Sequence, residues 1–275
     1  MSAHTDFSYL RSQISRKEDY VKLENIEKDR QKVRIQNKIL TDNRFIDIQL
    51  GELLFYFRKD LAPASVDTYI EIFRDKAHMK LPPFKPLNCT SVLDIGANEG
   101  FYSIYMKQKN PHLRILSVEP VPSAFEILQR NLKANGFHDI QTINLAVGDR
   151  NQTVEMEVYP HVSSISAENM ELLQRPWIHP DRINKIKVPM KTLSSLFYEY
   201  NLGTVDVLKL DVEGSEMKIL QTSKRVLKRV RKLVVEWHTP ELREKCKRFL
   251  RNRNFKLLHE ERRRIGDSYF INEEI

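Results

Sequence analysis

The sequence predicts an α/β fold in which a mostly parallel sheet is covered by helices on both faces. From Thr90 onward, short apolar runs of strand length alternate with periodic segments of helix length, a pattern typical of parallel sheets. Residues 91–103, SVLDIGANEGFYS, have the order strand, glycine turn and helix, which is how an α/β nucleotide-binding unit begins. A chain of 275 residues with 41% hydrophobic content is long enough for one substantial α/β domain and an appendage.

The first 86 residues are predicted to form a helical region that precedes the α/β domain. Apolar residues at helical spacing predict helices there. These helices are expected at about 15–38, 45–48, 53–57 and 66–73. Because the proline-rich segment 81–86 cannot continue a helix, we place a boundary there. It divides an N-terminal helical cap, residues 1–86, which is the expected substrate region, from a second domain, residues 87–275.

In the second domain, each strand or helix is bounded by a turn signal or a change of period. Asn110-Pro111 closes the first helix, Asn135-Gly136 ends the second, and alternating apolar residues at 154–158 indicate an inserted antiparallel strand. Strands are predicted at 91–94, 114–118, 140–145, 154–158, 185–190, 205–212, 232–236, 255–260 and 268–272. Helices are predicted at about 100–108, 122–134, 192–200, from Ser215 onward and at 240–252. Residues 159–184 are expected to be an irregular loop, and loops of that length are usually functional or disordered.

The glycine turn distinguishes between two nucleoside cofactors. A dinucleotide site is expected to have Gly-x-Gly-x-x-Gly, so that a pyrophosphate can lie on the helix N-terminus. Here Asn98 stands where the middle glycine would be, and Asp94 precedes the turn. A carboxylate at that point repels pyrophosphate but can pair with an ammonium group. S-adenosylmethionine combines such a group with a nucleoside, so the turn favours this cofactor over NAD.

Polar residues end several of the other predicted strands, where ligands bind in such folds. Glu119 lies 25 positions after Asp94, close to the roughly 20 expected of an acid that binds ribose hydroxyls, although it can equally cap the next helix. Asp211 follows Lys209, so the two form either a structural ion pair or a site with a functional carboxylate. His238 is either a proton acceptor, since histidine titrates near neutrality, or a surface histidine.

The net charge of +8 is concentrated near the C-terminus. Residues 224–264 contain sixteen Lys and Arg against five Glu. This surplus is either a footprint for nucleic acid or a pair of solvated helix faces, and no RNA-binding motif favours the first interpretation. The two cysteines lie far apart, so we predict no metal site. Without a membrane-length apolar run or a signal pattern, we expect a cytoplasmic protein.

Four motifs together resemble the FkbM-type methyltransferases. They are DIGANEGFYS at 94–103, VEP at 118–120, NLAVGD at 144–149 and LKLDVEGSE at 208–216. The resemblance covers about residues 88–240. It implies a Rossmann-like class I methyltransferase fold with a seven-stranded sheet, and S-adenosylmethionine-dependent methylation, often O-methylation of a sugar or secondary metabolite. N-methylation, RNA methylation through the basic C-terminal face, an NAD-dependent oxidoreductase and a non-catalytic cofactor-binding module stay open as alternatives.

The resemblance also assigns roles to individual residues. Those expected to bind S-adenosylmethionine lie in the turn, in the start of its helix and at later strand ends. They are Asp94, Gly96, Asn98, Gly100, Phe101, Tyr102, Ser103, Glu119, Pro120, Asn144, Ala146 and Asp211. Asp211 and Glu213 are expected to orient the reacting groups, with His238 as the base that a hydroxyl acceptor requires. The expected partner is a small-molecule or glycan acceptor; nucleic acid is not favoured, and no oligomeric state is predicted.

Overall fold

The computed structural model of the chain describes residues 7–36, 45–58, 62–158, 184–262 and 265–275. The irregular loop predicted at 159–184 lies outside these ranges except for Asn184. The strands are β1 (Phe45–Leu50), β2 (Leu53–Arg58), β3 (Ser91–Ile95), β4 (Arg114–Val118), β5 (Gln141–Ile143), β6 (Ala146–Gly148), β7 (Gln152–Val158), β8 (Asn184–Thr192), β9 (Val205–Leu210), β10 (Val230–Trp237), β11 (Phe255–Glu260) and β12 (Gly266–Asn272). The α-helices are α1 (Phe7–Gln13), α2 (Lys17–Gln36), α3 (Ala62–Phe73), α4 (Phe101–Lys109), α5 (Pro122–Ala134), α6 (Leu193–Glu199), α7 (Glu216–Thr222), α8 (Lys224–Leu227) and α9 (Pro240–Arg251).

A seven-stranded sheet with the order β11-β12-β10-β9-β3-β4-β5 lies at the centre of the fold. The five strands from β10 to β5 are parallel, whereas β12 is antiparallel to both β10 and β11. This arrangement confirms the predicted α/β fold with a mostly parallel, seven-stranded sheet. Strand order reverses between β3 and β9, so the carboxyl ends of these two neighbours open the crevice in which such folds bind ligands.

The helix boundaries follow from local signals. Pro122 is the first residue of α5, where its missing N–H costs no hydrogen bond. Gly136, with φ +73°, follows the end of the same helix, as is usual for a helix C-terminus. Thr239 caps α9 by accepting a hydrogen bond from the Leu242 N–H at 3.2 Å. These positions agree with the helices predicted at 122–134 and 240–252.

Only part of the strand predicted at 140–145 forms a strand, β5 (Gln141–Ile143); β6 (Ala146–Gly148) follows outside the predicted range and belongs to a different sheet. β5 pairs with β4 in the main sheet, whereas β6 pairs with β8 in a three-stranded sheet of order β6-β8-β7. The chain turns between them at Asn144, whose side-chain amide donates to the carbonyl oxygens of Glu119 and Pro120 at 2.8 and 3.0 Å. The second sheet therefore begins beside the end of β4, and it forms one wall of the site described below.

The prediction of helices at 45–48 and 53–57 is wrong, because β1 and β2 form an antiparallel hairpin there. The turn uses Gly51 with φ +61°, and burial alternates along β2 with period two. An apolar run of five residues does not distinguish a strand from a helix. The tertiary structure selects the strand, because the side chains of Asn131 on α5 and Asn135 at its C-terminus accept hydrogen bonds from the Tyr56 and Leu54 N–H groups at 2.7 and 2.8 Å.

The N-terminal region shares its hydrophobic core with the α/β domain. The buried ring of Phe55 lies 5.3 Å from that of Tyr69 and 5.4 Å from that of Phe101 on α4, measured between ring centroids. One cluster of buried residues thus extends from the N-terminal helices to the main sheet. Whether residues 1–86 form a separate domain stays a prediction. Across the described parts of the chain, no helix combines the length and apolarity that a membrane span requires, and the cytoplasmic location also stays a prediction.

Candidate active site

The turn after β3 is held against two neighbouring strand ends. The N–H groups of Gly96 and Ala97 donate to the Val118 carbonyl at 2.9 and 3.0 Å, and the Asp211 N–H donates to the Ile95 carbonyl at 3.1 Å. Gly96 has φ +80°, and a Cβ at this position would lie 1.8 Å from the carbonyl oxygen of Asp211. Only glycine fits such a close approach, so the ends of β3, β4 and β9 depend on this residue for their spacing.

Glu119 connects the turn to the end of β4. Its carboxylate accepts hydrogen bonds from the backbone N–H groups of Asn98 and Val121, both at 2.8 Å. Burial raises the pKa of Glu119 to about 7, although these two hydrogen bonds act in the opposite direction. Asn98 itself has φ +49°, and its buried side-chain oxygen has no hydrogen-bond partner among the described residues. The turn therefore carries an acceptor atom that a bound ligand can satisfy.

The raised pKa of Glu119 predicts a pH-dependent stability. The carboxyl binds its proton more tightly in the folded state, in which its pKa is about 7, than in the unfolded state, where the usual value is 4.5. Its contribution is thus fully present below pH 4.5 and is lost as pH rises to about 7, a difference of about 3 kcal/mol. Urea unfolding at pH 5 and pH 8 measures it. We expect Glu119→Gln to lose less stability over this interval than the wild type, and an equal loss would contradict the assignment.

Asp94 and Ser103 stabilise the turn from inside the protein. The fully buried Asp94 carboxylate accepts a hydrogen bond from the Ser103 hydroxyl at 2.6 Å and lies 3.2 Å from Lys209 Nζ. Lys209 also donates to the Gly96 carbonyl at 2.8 Å and lies 3.4 Å from Asp211 Oδ2. Burial lowers the pKa of Lys209, but the carboxylates of Asp94 and Asp211 outweigh it and raise the pKa overall. The Lys209–Asp211 ion pair considered from the sequence is present, and Asp94 takes part in it.

A cavity of about 280 Å³ lies outside the carboxyl ends of β3, β4 and β9 and against the second sheet. Apolar side chains, among them Val118, Leu145 and Val147, form part of its wall, and carboxylates lie at its edge. Six predicted site residues line it: Gly96, Glu119, Pro120, Ala146, Asp211 and Glu213. The cavity thus unites the glycine turn, the acid after β4 and the strand end after β9, which are far apart in sequence.

Other predicted site residues do not line this cavity. They are Asp94, Asn98, Gly100, Phe101, Tyr102, Ser103, Asn144 and His238. The Phe101 ring belongs to the aromatic cluster around Phe55, and Asn144 holds the Glu119-Pro120 backbone instead of bordering the cavity. Phe101, Tyr102 and Ser103 at the start of α4 are buried, and none of them lines the cavity.

Several residues that line the cavity were missed from the sequence. They include Asp149, Arg150, Gln152, Met156, Met190 and Lys218. Asp149 ends the NLAVGD motif, so its position contained a signal. The residues of β7 and β8 contained none, because they reach the cavity only through the pairing of the second sheet.

His238 is buried in a cluster of carboxylates. Its Nε2 lies 3.0 Å from Glu213 Oε2 and 3.9 Å from Asp211 Oδ1, and its Nδ1 lies 3.3 Å from Glu216 Oε1. Burial lowers the pKa of His238, but the charge of Glu213 and the hydrogen bonds to Glu213 and Glu216 outweigh it and raise the pKa well above 6.5. An imidazolium between carboxylates has no free nitrogen to accept a proton. This environment argues against His238 as the general base, and the alternative of a surface histidine is wrong.

A second cluster of charged residues, His78, Glu236 and Asp267, lies near the cluster around His238. His78 Nδ1 lies 2.8 Å from Asp267 Oδ1, and the His78 N–H donates to Asp267 Oδ2 at 2.7 Å. On the other side of the ring, Nε2 lies 3.9 Å from Glu236 Oε2. Burial and the charge of Asp211 raise the pKa of Glu236 well above 4.5. Burial raises the pKa of Asp211, but the charges of Lys209, His78 and His238 together outweigh it and lower the pKa overall. Neighbouring groups with pKa values shifted in opposite directions are typical of functional sites.

Comparison with known proteins agrees with these features. A family model described as the methyltransferase FkbM domain matches residues 94–262. Methyltransferase 1 of Beauveria bassiana is 32% identical over 186 residues, which are 63% of this chain and 74% of that protein. Methyltransferase sdnD of Sordaria araneosa is 28% identical over 215 residues, which are 68% of this chain and 80% of that protein. The 31-O-demethyl-FK506 methyltransferase FkbM of Streptomyces tacrolimicus is 25% identical over 193 residues, 62% and 73% of the two chains.

Proposed function

Because this chain belongs to the FkbM methyltransferase family and is an S-adenosylmethionine-dependent methyltransferase, we propose that its cavity binds the methyl donor and that the acceptor is a hydroxyl group of a sugar or secondary metabolite. The observation that carries this proposal is the Gly96 turn. A Cβ at this position would lie 1.8 Å from the Asp211 carbonyl oxygen, and the turn lines a cavity that has both acidic and apolar residues in its wall. The name of the Streptomyces relative, which states O-methylation, supports a hydroxyl acceptor.

The residues of the cavity fit the chemistry of the donor. Apolar residues such as Val118 and Leu145 suit the adenine ring. Glu119 has carboxylate oxygens that can accept further hydrogen bonds from ribose hydroxyls. Asp211, whose lowered pKa keeps it ionised, favours the cationic part of the donor. Bound there, S-adenosylmethionine supplies a methyl group already activated on sulfur.

The contribution of the chain itself is largely positioning. Backbone hydrogen bonds between the ends of β3, β4 and β9 hold Asp211 and Glu119 in fixed places. Fixed geometry supplies much of the rate for an activated donor. A hydroxyl acceptor must also lose a proton. Both ring nitrogens of His238 face carboxylates, so His238 is poorly suited to accept this proton. We propose instead that it holds Glu213 and Asp211 at the acceptor edge.

The charge of this edge supports a small acceptor over nucleic acid. Asp211 and Glu213 line the cavity, and Glu236 lies at the end of the neighbouring strand β10. A concentration of carboxylates repels the phosphate backbone, which supplies most of the affinity for nucleic acid. The basic residues from 224 onward are partly engaged in ion pairs, such as Lys245 with Glu241 at 2.7 Å, in which both side chains are mostly exposed, as expected of a solvated face.

Calorimetric titration with S-adenosylhomocysteine, with NAD as the parallel ligand, tests the proposal. We expect micromolar binding of S-adenosylhomocysteine alone. NAD binding, or no binding of either ligand by folded protein, would contradict it. Transfer of a labelled methyl group to a panel of polyols, amines and RNA then identifies the acceptor, and we expect label in the polyols.

A further inference from the structure

The charged cluster at the acceptor edge has the composition and geometry of a metal site. We propose that Asp211, Glu213 and His238 bind a divalent first-row transition-metal cation, such as Mn²⁺. Each residue offers one ligand atom, and the three atoms lie within 4.8 Å of one another. The cation replaces the proton on His238 Nε2, which is released to solvent on binding. The sequence pointed to the same three residues but not to a metal, because Asp211 and Glu213 follow the end of β9 and His238 follows the end of β10, with no metal-binding spacing between them.

The distances between the three side chains suit coordination of one cation. Two bonds of about 2.1 Å at a right angle place their ligand atoms about 3.0 Å apart, and wider angles extend this to about 4 Å. His238 Nε2 lies 3.0 Å from Glu213 Oε2 and 3.9 Å from Asp211 Oδ1. The other oxygen of Asp211 faces Lys209, so the oxygen directed at the imidazole is the one that a cation would use.

The imidazole is oriented as in many metal sites. Its Nδ1 lies 3.3 Å from Oε1 of Glu216, a residue with no exposed surface. That same oxygen accepts a hydrogen bond from the Gly214 N–H at 3.1 Å, which fixes the carboxylate. Metal-bound histidines almost always have this arrangement, in which a carboxylate or carbonyl holds one ring nitrogen and so directs the other nitrogen at the metal.

The site is also accessible from the cavity. The side chains of Asp211 and Glu213 are each 23% exposed and line the cavity. His238 is 3% exposed and does not line it, but its Nε2 lies 3.0 Å from Glu213 Oε2. In the neighbouring cluster, Asp267 already accepts hydrogen bonds from the His78 backbone and the Tyr269 hydroxyl, so it has less capacity for a cation. The direct path from the cavity therefore favours the cluster around His238.

The ligand set indicates the class of cation. One imidazole with two carboxylates suits Mn²⁺ or Zn²⁺, whereas Ca²⁺ prefers oxygen ligands only and more of them. A cation at this edge can also bind an acceptor hydroxyl and lower the pKa of its proton. This consequence rests on the proposed function, whereas the presence of the site does not.

To test the site, the full chain is first treated with a chelator and then titrated with Mn²⁺. Binding is measured as the loss of the electron paramagnetic resonance signal of free Mn²⁺. We expect one bound Mn²⁺ per chain. His238→Ala and Glu213→Gln should each weaken Mn²⁺ binding at least about tenfold, and Glu216→Gln about 10- to 100-fold. Glu157→Gln is the matched control, because Glu157 is 24% exposed and lies outside the cluster; its Mn²⁺ affinity should equal that of the wild type.

Circular dichroism and S-adenosylhomocysteine binding are measured on the same preparations. A folded wild type that binds no Mn²⁺ overturns the site, and so does a folded His238→Ala or Glu213→Gln variant that binds Mn²⁺ with unchanged affinity. Mn²⁺ binding that is lost in these variants supports the site even when S-adenosylhomocysteine fails to bind, and in that case only the proposed function is overturned.

Discussion

Replacement of Gly96 by alanine is expected to abolish binding of S-adenosylhomocysteine. The new Cβ would lie 1.8 Å from the Asp211 carbonyl oxygen. The backbones of both residues are held by hydrogen bonds at the ends of β3 and β9. The clash can be relieved only if the two strand ends separate, which displaces Asp211 from the cavity. We expect at least a hundredfold loss of affinity by calorimetry, together with a lower free energy of unfolding.

Gly136→Ala is the matched control for this substitution. Gly136 also has a positive φ, +73°, but a Cβ there would meet no atom within 4 Å. The left-handed conformation alone costs a non-glycine residue about 1 kcal/mol, so Gly136→Ala should lose about that much stability and keep its ligand affinity. Equal effects of the two substitutions would show that backbone strain, and not the contact with Asp211, explains the loss at Gly96.

Local patterns were sufficient for the main sheet and for part of the site. The β3 turn, Glu119 and Asp211 are each next to the end of a short apolar strand, and parallel strands bring such ends together at one edge. Their convergence on one cavity therefore follows from the sequence once the alternation of strands and helices is recognised.

Other features depend on contacts between segments that are distant in sequence. The aromatic run in β2 has the same local pattern in a helix or a strand, and the asparagines on α5 and at its C-terminus, about 75 residues later, decide between them. Likewise, the protonation of His238 depends on Glu213 and Glu216, which share no motif with it. Periodicity reports which face of a segment is apolar, but not which charged groups surround a buried side chain.

Replacement of Phe55 by alanine is expected to destabilise the whole chain, and not the N-terminal region alone. Phe55 is fully buried, and its ring lies between Tyr69 and Phe73 of the N-terminal region and Phe101 of the α/β domain. Loss of a buried phenylalanine ring costs about 3–5 kcal/mol. Scanning calorimetry should therefore show one unfolding transition, shifted downward by about 10 °C.

The shape of that transition also tests the predicted boundary at residue 86. If the N-terminal region and the α/β domain fold as one unit through the shared aromatic cluster, no second transition should remain at the wild-type temperature. A separate high-temperature transition in Phe55→Ala would instead show that residues 87–275 are stable independently. Tyr198→Ala is the control, because that side chain is 91% exposed and its loss should change the free energy of unfolding by no more than about 0.5 kcal/mol.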